Sequence, residues 1–155
     1  DEYNRLWSCF NLRQYLQRTA TTVSTIPADI ASHLLLDLLS TTDAAANGSI
    51  TEKAILRFGH AETLMPLLSL MRLNGCYYKT NYFDTVAKHW MDFDAVPMSA
   101  NLQIILFKTA KGKHYVRIDH NEVPVSILPN NNSIYAPWDK VHDYLMRLIP
   151  IYYQP

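Results

Sequence analysis

The sequence predicts an α/β fold, on three observations. Runs with apolar residues three and four apart alternate with short runs rich in β-branched residues. A β-prone run closed by Gly59 leads straight into a helical run, the order strand, turn, helix. Three further β-type runs precede a last amphipathic helix, with no internal repeat and no long linker dividing the chain.

Along the chain, Leu6–Arg18 (LWSCFNLRQYLQR) has Leu6, Phe10, Leu12, Tyr15 and Leu16 at mostly helical spacing. TATTVST, Thr19–Thr25, should interrupt that helix, because hydroxyl and β-branched side chains compete for its backbone. Pro27 suits a first helical turn, and DIASHLLLDLL predicts a helix ending near Ser40, with His33 in a packing or surface role. TTDAAANGS reads as a loop and AILRF, Ala54–Phe58, as a strand. ETLMPLLSLMRL predicts a helix starting at about Glu62 or Thr63, since Pro66 is tolerated near a first turn, and ending at an Asn74-Gly75 cap.

Lys79–Phe93 repeats Tyr82, Val86 and Trp90 every four residues, a helical spacing. NLQIILFKT and KHYVRID predict a β-hairpin turning at AKGK with Gly112, followed by a third run, EVPVSIL. WDKVHDYLMRLI places Trp138, Val141, Tyr144, Leu145 and Leu148 on one helical face and stops at Pro150.

The 155 residues are 48% hydrophobic and 18% charged, the balance of a folded chain with its own core. Fourteen basic residues offset fourteen acidic ones, so no overall field draws nucleic acid or an anionic membrane; any anion affinity must be local. No run is long enough to span a bilayer, and DEYNRLWSCF lacks the basic and apolar regions of a leader, so the chain reads as beginning inside a protein. Cys9 and Cys76 have no metal-ligand spacing and are left to pair with each other or with cysteines elsewhere. The sequons Asn47-Gly48-Ser49 and Asn131-Asn132-Ser133 lie in turn-rich polar stretches, which makes Asn47 and Asn131 candidate glycosylation sites and points to a secretory route.

The chemistry concentrates in RFGHAETLMPLL, where His60 and Glu62 stand at the strand-to-helix junction. If Gly59 to Glu62 is extended, side chains two apart share one side and can reach one ligand. A helix start there adds free N–H groups suited to an anion. A protonated His60 could hold phosphoryl oxygens while a neutral Glu62 donates a proton to a leaving alkoxide. The plainer alternative is a salt link or a cap at a helix start. The zinc deaminase pattern also contains H-x-E but requires a following P-C-x-x-C; only Cys76 follows, so no metal or cofactor is expected. No serine or cysteine has a recognisable base partner, and His89, His114, His120 and His142 lie in segments better suited to surface or packing roles, so no nucleophile is identified within the chain.

On these residues the chain resembles a known family. ILRFGHAETLMPLLSLM is similar to the C-terminal catalytic segment of the multiple inositol polyphosphate phosphatases, a branch of the histidine acid phosphatases. NLRQYLQR resembles a helix upstream in that family, VPMSANLQIILFK its Pro-x-x-x-Asn-Leu strand entry, and YVRIDHNEVPVSILP its paired strand with an Asn-Glu turn.

The resemblance implies a large α/β domain with a helical subdomain, of which residues 1–155 would be the C-terminal part: a helical stretch over 1–45 and a strand-helix and hairpin stretch over 46–155. It implies removal of phosphate from inositol polyphosphates through a phosphohistidine, with His60 on the phosphate and Glu62 as proton donor. The nucleophile would come from an Arg-His-Gly-x-Arg-x-Pro motif in an N-terminal portion or companion chain; no Arg-His pair occurs here. Cys9 would match a disulfide cysteine paired upstream. TATTVST and Met91–Asp94 depart from the family pattern, which bears on substrate preference, and the ending IYYQP has no KDEL-type retention signal. The alternative is a non-catalytic binding or structural module of phosphatase ancestry, including an extracellular one. AILRF has few neighbours to pair with in this chain, so an unpaired edge and exposed apolar surface are expected.

Overall fold

The computed structural model describes residues 2–154. In chain order the elements are α1 (Glu2–Arg18), α2 (Ile26–Asp29), α3 (Ser32–Asn47), α4 (Ala61–Leu70), a 3-10 turn (Phe83–Lys88), α5 (Asp92–Ala95), β1 (Leu102–Lys108), β2 (His114–His120), β3 (Val123–Val125), β4 (Ala136–Pro137), α6 (Trp138–Leu148) and a second 3-10 turn (Ile151–Tyr153). The fold is thus mixed helix and sheet, in two compact units: residues up to Ala31 with His60–Ala100, and Ser32–Gly59 with residues from Asn101 onward.

The first unit is helical. Asn11 and Tyr15 form the buried face of α1, while Leu6 and Phe10 face solvent. The Tyr15 hydroxyl donates to the carbonyl of Tyr78 at 2.7 Å, and its ring lies 5.6 Å from that of Trp90. Thr19–Thr25 breaks the helix by the expected competition. The Thr19 hydroxyl donates to Tyr15 O, and Thr21 Oγ1 accepts from Val23 N and Ser24 N.

Two expectations in this unit fail. The helical spacing over Lys79–Phe93 yields only the 3-10 turn and α5. Val86 and Trp90 are buried as the spacing requires, but Tyr82 is exposed. Thr80 Oγ1 takes Tyr82 N and Thr85 Oγ1 donates to Tyr82 O, so hydroxyls claim groups a helix would use. Nor does Asn74-Gly75 cap α4. Leu73 N donates to Leu68 O and Arg72 N to Ser69 O, the paired bonds of a Schellman ending, with Arg72 in the left-handed region at φ 55°. Sequence reasoning looked for glycine at a place held by arginine. Cys9 is exposed and Cys76 buried, and no disulfide joins them.

The second unit carries the antiparallel sheet. The β1–β2 hairpin runs in register from Leu102 opposite His120 to Lys108 opposite His114, and Gly112 at φ 77° supplies its turn. β3 pairs with residues 118–120 of β2 and β4 with residues 115–116, so both lie along the edge of β2 away from β1. Asn121 and Glu122, both at positive φ, make the tight β2–β3 turn. Val116 and Ile118 of β2 are buried with Leu35 and Leu39 of α3 and Val141 and Leu145 of α6. Each such apolar side chain contributes about 1.5–3 kcal/mol on burial. The indole of Trp138 donates to Asp43 Oδ1 at 2.7 Å, fastening α6 to α3. No described helix is long and apolar enough to cross a membrane.

Three further expectations change here. The helix expected over 27–40 is two helices, interrupted at Ile30 and Ala31. TTDAAANGS is not a loop to its start, because α3 continues to Asn47. The Thr42 hydroxyl bonds back to Leu38 O, three alanines favour the helix, and Gly48 at φ 79° closes it with Ser49 N on Ala44 O and Gly48 N on Ala45 O. Finally, Ala54–Phe58 forms no strand. Ile55 is 44%, Leu56 75% and Phe58 92% exposed. β-propensity reflects packing on a sheet, and no strand of the described chain pairs with this run. Arg57 alone is tied down, to Asp37 at 2.7 Å and Thr41 at 2.8 Å on α3.

Candidate active site

His60 and Glu62 stand at the first turn of α4. His60 is the residue before the helix, with φ −112° and ψ 167°, and its carbonyl accepts from Thr63 N and Leu64 N. Glu62 is the second helical residue. The extended stretch therefore ends at His60, and the two side chains belong to one helix terminus rather than to one face of a strand. A helix terminus still serves an anion: the leading N–H groups have no partner within the helix, and the dipole favours negative charge there.

Burial changes steeply along α4. His60, Glu62 and Thr63 are exposed, whereas Met65 to Leu70 are all buried. Ser69 Oγ accepts the buried N–H of Ala20 at 2.9 Å, which fastens this half to the start of the Thr19–Thr25 turn. The helix thus has a rooted end and a presented end. Pro66 sits in the second turn, beyond the first-turn position expected for it, and brings no N–H, so the carbonyl of Glu62 lacks its usual helical donor.

His33, set aside on sequence grounds, is exposed and meets the ring of Tyr153 edge-on at 5.2 Å. His142 faces Asp43 at 3.3 Å, in the second unit. Arg57 was given no role by sequence reasoning. Its ion pair with Asp37 is a relation between residues 20 apart that no local pattern announces. Among the described residues no group of three or more His, Cys, Asp or Glu is disposed to hold a metal ion.

No family model matches the chain. Three known proteins do, among them two phosphatases of one name. Multiple inositol polyphosphate phosphatase 1 of Gallus gallus is 32% identical over 117 residues, which is 65% of this chain and 25% of the relative. The protein of the same name from Dictyostelium discoideum is 26% identical over 100 residues, 61% of this chain and 16% of the relative. The resemblance read from His60, Glu62 and the segments around them is therefore met by two phosphatases of that name, of whose lengths the matched part is a quarter or less.

Proposed function

We propose that this chain is the C-terminal segment of an inositol polyphosphate phosphatase of the histidine acid phosphatase type, a phosphoric monoester hydrolase of phytate-like substrates. The reading is carried by one observation: an exposed His60 and Glu62 on the presented end of a helix whose other half is buried. That arrangement holds two chemically capable side chains in a fixed place while leaving them open to a partner and a substrate.

In this mechanism an imidazole from the N-terminal portion attacks phosphorus. The nitrogen–phosphorus bond forms as the ester oxygen departs, and Glu62 gives that oxygen its proton. A cationic His60, together with the leading N–H groups of α4, holds the non-bridging oxygens as charge develops. Water then attacks the phosphohistidine, Glu62 takes the proton back, and inorganic phosphate leaves.

The need for an N-terminal portion is supported by the unpaired run Ala54–Phe58, with Ile55, Leu56 and Phe58 standing in water. In this reading the run is a strand whose neighbours belong to that portion, and the sheet is complete only with it. Residues 1–155 are then one part of a catalytic unit made in the secretory pathway.

The test is reconstitution. This chain alone should not hydrolyse inositol hexakisphosphate, whereas the chain joined or co-expressed with a polypeptide bearing Arg-His-Gly-x-Arg-x-Pro should. Turnover by the isolated chain would remove the division of labour, and binding without turnover in the joined form would favour a non-catalytic module.

A further inference from the structure

The two sequons have a common geometry. At the first, Ser49 N donates to Asn47 Oδ1 at 2.9 Å, and at the second Ser133 N donates to Asn131 Oδ1 at 2.9 Å. Each is an Asx turn, in which the side-chain carbonyl folds onto the chain two residues ahead and the amide nitrogen is turned away from that bond. All six residues of the two triplets are exposed. Neither triplet lies in a strand. Asn47 closes α3, followed by Gly48 at φ 79°, and Asn131 follows the left-handed Asn130.

A third asparagine supplies the contrast. Asn74-Gly75-Cys76 offers a sulfur where the sequons offer a hydroxyl, and that thiol is buried, with burial pushing its pKa up to about 12. Asn74 is itself exposed, but the residue two on presents neither an accessible side chain nor a hydroxyl.

We infer that Asn47 and Asn131 are N-glycan acceptor sites and that Asn74 is not. The reaction joins Nδ2 of each asparagine to the anomeric carbon of an oligosaccharide carried on a lipid pyrophosphate. The carbon–nitrogen bond forms, the bond from that carbon to the phosphate oxygen breaks, the lipid pyrophosphate leaves and Nδ2 loses one proton. The exposed turns let the sugar leave the surface without displacing any packed side chain. At Asn131 it would also stand beside Ile134 and Tyr135, which are 38% and 44% exposed, and give that apolar strip a hydrated neighbour. The inference rests on the secretory placement proposed above and is independent of the phosphatase chemistry.

The experiment is glycopeptide mapping with peptide N-glycosidase in heavy-oxygen water, which converts each occupied asparagine to labelled aspartate. It is run on the native protein and on the full protein directed to the endoplasmic reticulum by an added leader. Label at Asn47 and Asn131 and none at Asn74 is expected in both. Ser49→Ala and Ser133→Ala should each erase one site, and Ser133→Thr should keep it, which separates loss of the acceptor from misfolding. A leader-directed protein bare at either position overturns that site. Native protein that is bare while the leader-directed form is labelled overturns the secretory placement and leaves the acceptor sites standing.

Discussion

The side chain of Asn11 reads the backbone on both sides of Met91: its amide donates to the carbonyl of Trp90 at 3.0 Å and its oxygen accepts the N–H of Asp92 at 2.8 Å. Asn11 is fully buried; its bond to Trp90 O is buried and the one from Asp92 N part-buried. Asn11→Ala should leave the buried carbonyl of Trp90 and the part-buried N–H of Asp92 without this partner, costing about 1–3 kcal/mol. Urea denaturation would measure it. Asn11→Asp keeps the acceptor but sets a buried carboxyl oxygen against the carbonyl of Trp90, and should cost at least as much as alanine.

Arg72 ends α4 with a positive φ that glycine adopts freely and arginine does not. Its guanidinium lies 5.4 Å from the centre of the Tyr77 ring, an attraction of about 0.5–1 kcal/mol at an exposed site. Arg72→Gly removes strain of about 1 kcal/mol and that contact together. Arg72→Asn tempers the strain through a side chain suited to this region. Both variants should unfold within about 0.5 kcal/mol of the parent. A loss of about 1 kcal/mol or more, the whole of the ring contact, would mean that the cap carries no strain.

The thiol of Cys76 should separate from that of Cys9 in reactivity. Cys9 is exposed, while burial raises the Cys76 thiol from 9.0 to about 12. In native protein a thiol reagent near neutral pH should label Cys9 and spare Cys76, which becomes reactive on unfolding. The same shift sets an alkaline limit. The folded state keeps the thiol protonated where the unfolded chain loses its proton, so this contribution is whole below pH 9 and is lost as pH rises towards 12. Tyr15, raised mainly by burial, adds to the loss in the same direction. Replacing Cys76 by alanine should flatten the decline of stability between pH 9 and 11.

Glu62→Gln should act on the leaving group. In the reconstituted enzyme, turnover of an inositol phosphate should drop about 10²–10⁴-fold, the range for loss of a positioned proton donor, with little change in KM. An aryl phosphate, whose phenolate leaves without help, should be affected far less. Equal loss on both substrates would remove Glu62 from proton donation.

Phe58→Ser and Leu56→Ser should leave the stability of this chain within about 0.5 kcal/mol, because both side chains are exposed in it. Binding to the N-terminal portion, measured by titration, should weaken at least tenfold. Unchanged binding would show that Ala54–Phe58 is not where the companion docks.

Elements that satisfy their own rules were legible from the sequence. The β1–β2 hairpin follows from strand alternation with Gly112 between, and α6 from its apolar stripe. Where hydroxyls or an unexpected left-handed residue decide, the pattern misleads. Thr80 and Thr85 divert a helical spacing into a 3-10 turn, and Arg72 stops α4 ahead of Gly75. The first turn of α4 was placed to within a residue or two, which located His60 and Glu62. What periodicity could not supply was where Arg57 would turn, because its partners Asp37 and Thr41 lie far off in sequence.

Pro66 has a consequence for motion. Since its ring nitrogen cannot donate, the carbonyl of Glu62 is released from the ladder that holds the rest of α4. The turn bearing the acid is thus held by one bond fewer than a regular helix provides, while Met65 to Leu70 are buried in the core. Isotope exchange should therefore be quicker at the exposed amides of 61–64 than from 67 onward, where the helix is buried.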